Sequence, residues 1–342
     1  PARLAAADYF FFAHRFQSAL AAYQEIDYAR INPADRPLYD YRKGLSMLRC
    51  GLYDEAAPIF RELRDNRNYN LPADYYLAYI DYVGGNYESA YNAFEEVDSR
   101  LDGEDGEGME PKYYLAQIDY ARQRYDRAAR LGRELLSTRD GGELTAPTER
   151  IVGLSLFKLD DYAQSRKYLE RYLRSESGEP ASDAIYALGV IDYRDGDMES
   201  ARSRFSSLTD LDNDLAQSAY LYLGQIAVKE NDSNAAAISF EKASKMNFDP
   251  EVTETAMFNY IAARTRGGNI PFSSSIPLLS GFLRQFPRSQ YAPQVEEYLA
   301  TAYFNEKDYA KALESVNRIP NPSRQVVAAK QKILYELGME AM

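Results

Sequence analysis

The sequence predicts an all-α protein built as a stack of short helical hairpins, and three observations carry that prediction. First, the stretch 75–94, YYLAYIDYVGGNYESAYNAF, reads as two short helices around the turn Gly84-Gly85-Asn86. Second, its second helix brings Tyr87, Ala90, Phe94 and Val97 onto one face at three-to-four-residue spacing. Each helix is too short to fold alone and would leave apolar surface in water, so such a pair has to stack on copies of itself. Third, the copies are present. An aromatic, then a small residue three on, then a bulky one four further, recurs as Phe16/Ala19/Tyr23, Tyr53/Ala56/Phe60, Tyr87/Ala90/Phe94 and Tyr125/Ala128/Gly132. It continues, degenerately, as Tyr162/Ser165/Leu169, Met198/Ala201/Phe205, Ser233/Ala236/Phe240 and Tyr309/Ala312/Val316.

Starts lie roughly 34 to 38 residues apart, with one double-length gap before Tyr309. Nine residues before each start sits a small residue (Ala7, Gly44, Ala78, Ala116, Gly153, Gly189, Gly224, Ala300), where close approach of two helices needs one.

This pattern resembles the tetratricopeptide repeat over essentially the whole chain. The family's usual tryptophan in the fourth place is missing throughout, because the chain has no Trp. The resemblance implies a right-handed superhelical solenoid of about nine antiparallel helix pairs, closed by a C-terminal helix, with the first helices lining a concave groove.

In chain order, residues 1–265 hold seven repeats and the first helix of an eighth. Asp35 and Pro37 suit a cap and first turn, and Pro72, Pro111, Pro147, Pro180, Pro250 and Pro293 fall near the starts of later first helices. Two places break the rhythm. Residues 101–110, LDGEDGEGME, form a longer acidic Gly-rich loop; 266–275 is a stretched turn, the expected hinge or seam. Residues 276–322 complete repeats eight and nine. The last helix, in 323–342, shows Val326, Ile333, Leu334 and Leu337 where a capping repeat usually presents a polar outer face. It is expected to continue a longer solenoid or to dock on a partner, a second copy included.

Composition excludes several functions. A net charge of −12 and a pI of about 4.8 argue against binding a phosphate backbone. No apolar run approaches a membrane span. No secretory leader is visible, although the chain opens on Pro1 without Met and one could have been removed. Cys50 is the single cysteine, which rules out an internal disulfide. Catalysis finds little footing. His14, the one histidine, cannot form a two-histidine metal site, and no nucleophile has a recognisable base or phosphate-binding glycine motif. The acidic runs 102–107 and 210–214 lack the ligand pattern of a calcium loop and read as solvated loops with helix caps. Neither enzyme activity, cofactor nor metal is expected.

What remains is a surface for another protein. The first-helix places that face the groove in the family hold Leu38, Tyr41, Leu45, Leu48 and Arg49, then Tyr75, Tyr79, Tyr82 and Val83, then Tyr113, Gln117 and Tyr120. Arg150, Leu154, Phe157 and Lys158 follow, then Tyr186, Val190, Tyr193 and Arg194. Tyrosine offers a large apolar face, a polar tip and few torsions to freeze, which suits peptide recognition. Tyr82, Tyr120 and Tyr193 are equally suited to packing adjacent first helices. The Lys and Asn pair with which co-chaperone repeats clamp a terminal carboxylate is replaced by Tyr41/Leu45, Tyr75/Tyr79 and Tyr113/Gln117.

Ile-Asp-Tyr occurs three times and places Asp81, Asp119 and Asp192 between helices. A carboxylate there needs a partner, and a neighbouring repeat's Tyr, Arg or helix N-terminus would fix stacking register. An acidic row facing a basic ligand is the alternative. The Phe286-Pro287-Arg288-Ser289 helix exit is similar to repeats in bacterial envelope proteins and points to the periplasm. The sequence therefore predicts a non-enzymatic scaffold holding a peptide or protein along a tyrosine-lined groove. Its alternative is an architectural or oligomerising envelope component acting through its edges.

Overall fold

A computed structural model describes residues 2–101, 108–138, 142–175, 180–266 and 272–342. Among these residues the regular structure is entirely helical, with nineteen α-helices, one short 3-10 helix at Tyr28–Arg30 and no strand. The chain packs as two compact units, Pro1–Ser177 and Gly178–Met342. The first unit pairs α1 (Ala2–Phe12) with α2 (Phe16–Gln24), α3 (Arg36–Arg49) with α4 (Tyr53–Leu63), and α5 (Asn70–Val83) with α6 (Tyr87–Arg100). It ends with α7 (Pro111–Ala121) on α8 (Tyr125–Thr138) and α9 (Thr145–Lys158) on α10 (Tyr162–Arg174). The second pairs α11 (Ser182–Asp195) with α12 (Met198–Ser206), α13 (Asp214–Lys229) with α14 (Ser233–Met246), and α15 (Pro250–Arg266) with α16 (Phe272–Gln285). Then come α17 (Ala292–Asn305) with α18 (Tyr309–Asn317), and finally α19 (Arg324–Glu340).

All eight marker residues are the first residue of a second helix, from Phe16 in α2 to Tyr309 in α18. Two residues before each, the chain turns through a positive φ, at His14, Gly51, Gly85, Gln123, Asp160, Gly196, Asn231 and Lys307. Glycine takes this strained position in only three of the eight turns. Caps do more of the turn-setting than glycine in the later repeats: Asp161, Asp197, Asp232 and Asp308 each accept a backbone N–H three residues on, at 2.9–3.2 Å. The expected cap Asp35 makes no such bond, leaving Pro37 in the first turn to set the start of α3.

Close approach within a hairpin is visible at Gly224. A Cβ there would lie 2.4 Å from the Phe240 ring, so the second helix rests directly on the first helix's backbone. Gly132 is the exception in the marker series, standing where others carry a bulky residue. Val152 of α9 fills that space instead, 2.4 Å from where a Cβ would be.

In four of the repeats the missing tryptophan is replaced by charge, whereas α11 and α13 carry Ile185 and Tyr220 there. In its register stand Asp74, Lys112, Glu149 and Glu296, each paired with a residue late in the second helix of the same hairpin or just past its end. The pairs are Asp74–Arg100 at 2.6 Å, Lys112–Glu134 at 3.1 Å, Glu149–Arg171 at 2.6 Å and Glu296–Arg318 at 3.5 Å. Nothing in the apolar periodicity announces this substitution of ion pairs for ring packing.

One expectation changes, at α19. Helix packing divides the chain at 177/178, and the hairpin register passes through that point unaltered. In α19, Val326 and Ile333 are buried against Ala300, Ala312 and Val316, and it is Val327, Leu334, Tyr335 and Met339 that are exposed. The helix thus packs inward on one stripe and is apolar on a second. Residues 102–107 of the acidic loop and 267–271 of the expected hinge lie outside the described residues.

Candidate partner-binding face

In the first unit the tyrosines of α3, α5 and α7 make one connected aromatic system. Tyr41 lies 5.2 Å from the Tyr69 ring and 6.1 Å from Tyr76, with Leu45 half-buried against the same cluster. Tyr79 meets Tyr53 and Tyr114 edge-on at 6.3 and 5.6 Å. Tyr82 packs edge-on against Tyr114 at 5.1 Å, and its hydroxyl donates to Gln117 Oε1 one repeat on. Tyr113 is edge-on to Tyr114 at 5.1 Å, and Tyr120 to Tyr125 at 5.5 Å. Tyr41, Tyr79, Tyr82, Tyr113, Gln117, Tyr120 and Arg150 are all half-buried, so each keeps part of its surface open. Tyr75 does not. It is 5 % exposed, edge-on to Phe94 at 5.8 Å, with its hydroxyl accepting the Glu110 N–H at 3.5 Å. That places it in the core instead of on an open groove, because α6 of its own hairpin and the start of α7 close over it.

The second unit repeats part of this arrangement. Tyr186 and Tyr193 approach the Tyr222 ring at 6.2 and 5.2 Å, and Lys229 Nζ sits 3.8 Å above the centre of the Tyr193 ring. Arg194 is exposed and close enough to Tyr222 to act on its phenol.

Sequence reasoning missed the residues that hold this system up. Tyr76, Tyr114 and Tyr222 each stack face-on against the bulky residue of the preceding second helix: Phe60 at 5.1 Å, Phe94 at 4.9 Å and Phe205 at 4.8 Å. The available signal was the doubled tyrosine, Tyr75-Tyr76 and Tyr113-Tyr114. Neighbours on a helix point about 100° apart, so only one ring of each pair can stack on the previous hairpin; of the other two, Tyr113 keeps part of its surface open and Tyr75 enters the core.

Burial raises the phenol pKa of Tyr41, Tyr79, Tyr113, Tyr114 and Tyr186, and pushes Tyr82 up to about 12. Arg49 beside Tyr41 and Tyr79, and Arg150 beside Tyr113, pull only partly the other way. The face therefore carries neutral hydroxyls, able both to donate and to accept, with cations beside them.

The three aspartates have different surroundings. Asp81 accepts from Ser89 Oγ at 2.6 Å and Asp192 from Arg204 Nε at 2.6 Å, both within their own hairpins. Asp119, fully buried, accepts from Tyr91 of the preceding hairpin at 3.2 Å and lies 3.3 Å from Arg127 Nε and 3.6 Å from Arg124. Asp119 thus links two successive repeats, while the Ser89 and Arg204 bonds each lie within one hairpin. Among the described residues no cluster of His, Cys, Asp and Glu could hold a metal ion, and no helix is long and apolar enough to cross a membrane.

Comparison with known proteins follows the same lines. Residues 153–210 and 186–250 match the sequence profile of the tetratricopeptide repeat. No curated protein matches the chain at a significant level. Solved structures with similar folds include a tetratricopeptide repeat protein from Parabacteroides merdae, 14 % identical over 75 % of this chain and 97 % of that one, TM-score 0.44. PilW, a type IV pilus biogenesis factor, is 16 % identical over 68 % of this chain and 97 % of its own, TM-score 0.47. Yeast Tom70 is 15 % identical over 97 % and 76 %, TM-score 0.39. The profile match thus identifies residues 153–250 as tetratricopeptide repeats, and the same turn, small residue and marker recur from α1 to α18.

Proposed function

We propose that the chain is a non-enzymatic scaffold that holds a peptide or protein partner along the tyrosine face of its first unit. The observation that supports this is the set of half-buried phenols on α3, α5 and α7, with rings fixed by their neighbours and hydroxyls kept neutral by burial. Rings already held in place lose little further freedom when a ligand lands on them, so their apolar area counts toward affinity. Tyr79 and Tyr113 are the contacts to test. Affinity capture with the full chain as bait, read by mass spectrometry, should recover a partner that the Tyr79→Ala/Tyr113→Ala double variant no longer recovers. Far-UV circular dichroism should stay near the wild-type signal. A variant that unfolds would assign both rings to packing, and one that retains the partner would end the groove reading.

The architectural reading, a bacterial envelope component acting through its edges, draws on one observation of its own. Leu334, Tyr335 and Met339 of α19 are 48 %, 66 % and 53 % exposed, an apolar stripe wide enough to meet another surface. Removing residues 323–342 would then change the assembly state in light scattering, while the tyrosine double variant would leave it alone. The periplasmic placement rests on the Phe286–Ser289 exit motif, and fractionation of cells producing the native gene product decides it.

A further inference from the structure

The second unit contains a cleft of about 700 Å³ between the second helices α16 and α18, floored by α17. Its charge is opposite to that of the chain as a whole. Arg284 and Arg288 stand on one wall, Lys311 and Arg318 on the other, against the carboxylates of Glu296 and Glu314. Lys311 is engaged by Asp308 at 2.8 Å, and Arg318 reaches Glu296 at 3.5 Å and Glu314 at 3.7 Å. Arg284 and Arg288 have no carboxylate within ion-pair distance among the described residues, and both are exposed.

The equivalent place in the first unit shows what such arginines do when a carboxylate is within reach. There Asp74, in the register of Glu296, is held by two arginines, Arg100 of its own hairpin at 2.6 Å and Arg64 from just past the preceding second helix at 2.7 Å. At Glu296 the arginine of its own hairpin is present, but those near the end of the preceding second helix, Arg284 and Arg288, remain uncommitted across an open cleft. Beside Glu296 the cleft is also lined by apolar side chains, Leu283 of α16 and Pro293 and Leu299 of the α17 floor.

We infer that this cleft is a second binding site and that it takes a short acidic peptide segment, its carboxylate on Arg284 and Arg288 and a neighbouring apolar side chain on the floor. Two arginines match a carboxylate through paired N–H donors, and the volume lies within the range of sites that enclose a peptide side chain and its backbone. The apolar part of the lining favours an organic carboxylate over a free ion. A net charge of −12 repels a long polyanion at a distance, whereas a segment with one or two carboxylates meets only the local surplus of cations. The site lies in the other compact unit from the tyrosine face and stands or falls independently of it.

The test uses the full chain and a short fluorescent peptide alternating Asp and Leu, followed by anisotropy. Binding is expected, weakening as salt rises. The Arg284→Glu/Arg288→Glu double variant should lose about tenfold or more in affinity, with wild-type helicity because both side chains are exposed. The matched Asn–Leu peptide should bind at least about tenfold more weakly. Equal affinity for the double variant, or for the neutral peptide, overturns the proposal. So does inorganic phosphate competing at the same concentration as unlabelled Asp–Leu peptide, which would reduce the cleft to a simple oxyanion site. The Tyr79→Ala/Tyr113→Ala variant should bind the acidic peptide unchanged, so failure of the tyrosine face and failure of the cleft give different results.

Discussion

Gly224 in α13 and Gly338 in α19 should respond to the same substitution with opposite signs. An alanine Cβ at Gly224 would fall 2.4 Å from Phe240 Cε1 and 2.5 Å from Cδ1, and Phe240 is itself 2 % exposed. Relieving that contact requires α13 and α14 to separate or the ring to leave its rotamer. Overpacking of that kind costs about 1–3 kcal/mol. Against it stands a helix-propensity gain of up to about 1 kcal/mol for replacing glycine, so the net expected for Gly224→Ala is a loss of about 1–2 kcal/mol. At Gly338 a Cβ would meet nothing within 4 Å. Only the propensity gain remains, reduced because the residue lies in the last turn of α19, giving about 0.3–0.8 kcal/mol of stabilisation. Repeat arrays need not unfold in one step, so amide hydrogen exchange of α13–α14 and of α19 is the appropriate measurement, with urea unfolding beside it. Faster exchange in α13–α14 for Gly224→Ala and slower exchange in α19 for Gly338→Ala is the expected pair. A neutral or stabilising Gly224→Ala would refute the claim that these hairpins are closed by direct contact with a first-helix backbone.

Two further outcomes follow from the buried polar groups. Asp119→Ala removes a fully buried carboxylate from Tyr91, Arg124 and Arg127 and should cost about 2–4 kcal/mol in urea unfolding, with Asn recovering part of it; a loss under about 0.5 kcal/mol would mean that solvent replaces those contacts freely. Burial pushes the phenols of Tyr75, Tyr82 and Tyr91 up to about 12 from an unfolded value near 10. Because the folded state holds these protons more tightly, the stability they confer is complete below about pH 10 and disappears as pH rises toward 12. Tyrosinate absorbance and helicity should therefore change together over that interval, and early ionisation of most tyrosines with the helices intact would contradict the burial.

The sequence by itself determined the class of fold, the number of hairpins and the first residue of eight second helices, from Phe16 to Tyr309. It could do so because a helix too short to stand alone must repeat its apolar spacing at every copy, and spacing is a one-dimensional property. It also marked the tyrosines, but could not sort Tyr75 into the core and Tyr79 toward the open side. That choice depends on which helices close over each ring. Tertiary structure alone decided that Tyr114 and Tyr222 stack on Phe94 and Phe205, that ion pairs such as Asp74–Arg100 stand in for the missing tryptophan, and that the chain packs as two units. The named contacts join residues 17 to 26 positions apart in the chain, in a register the periodicity leaves free, so only the packed helices could reveal them.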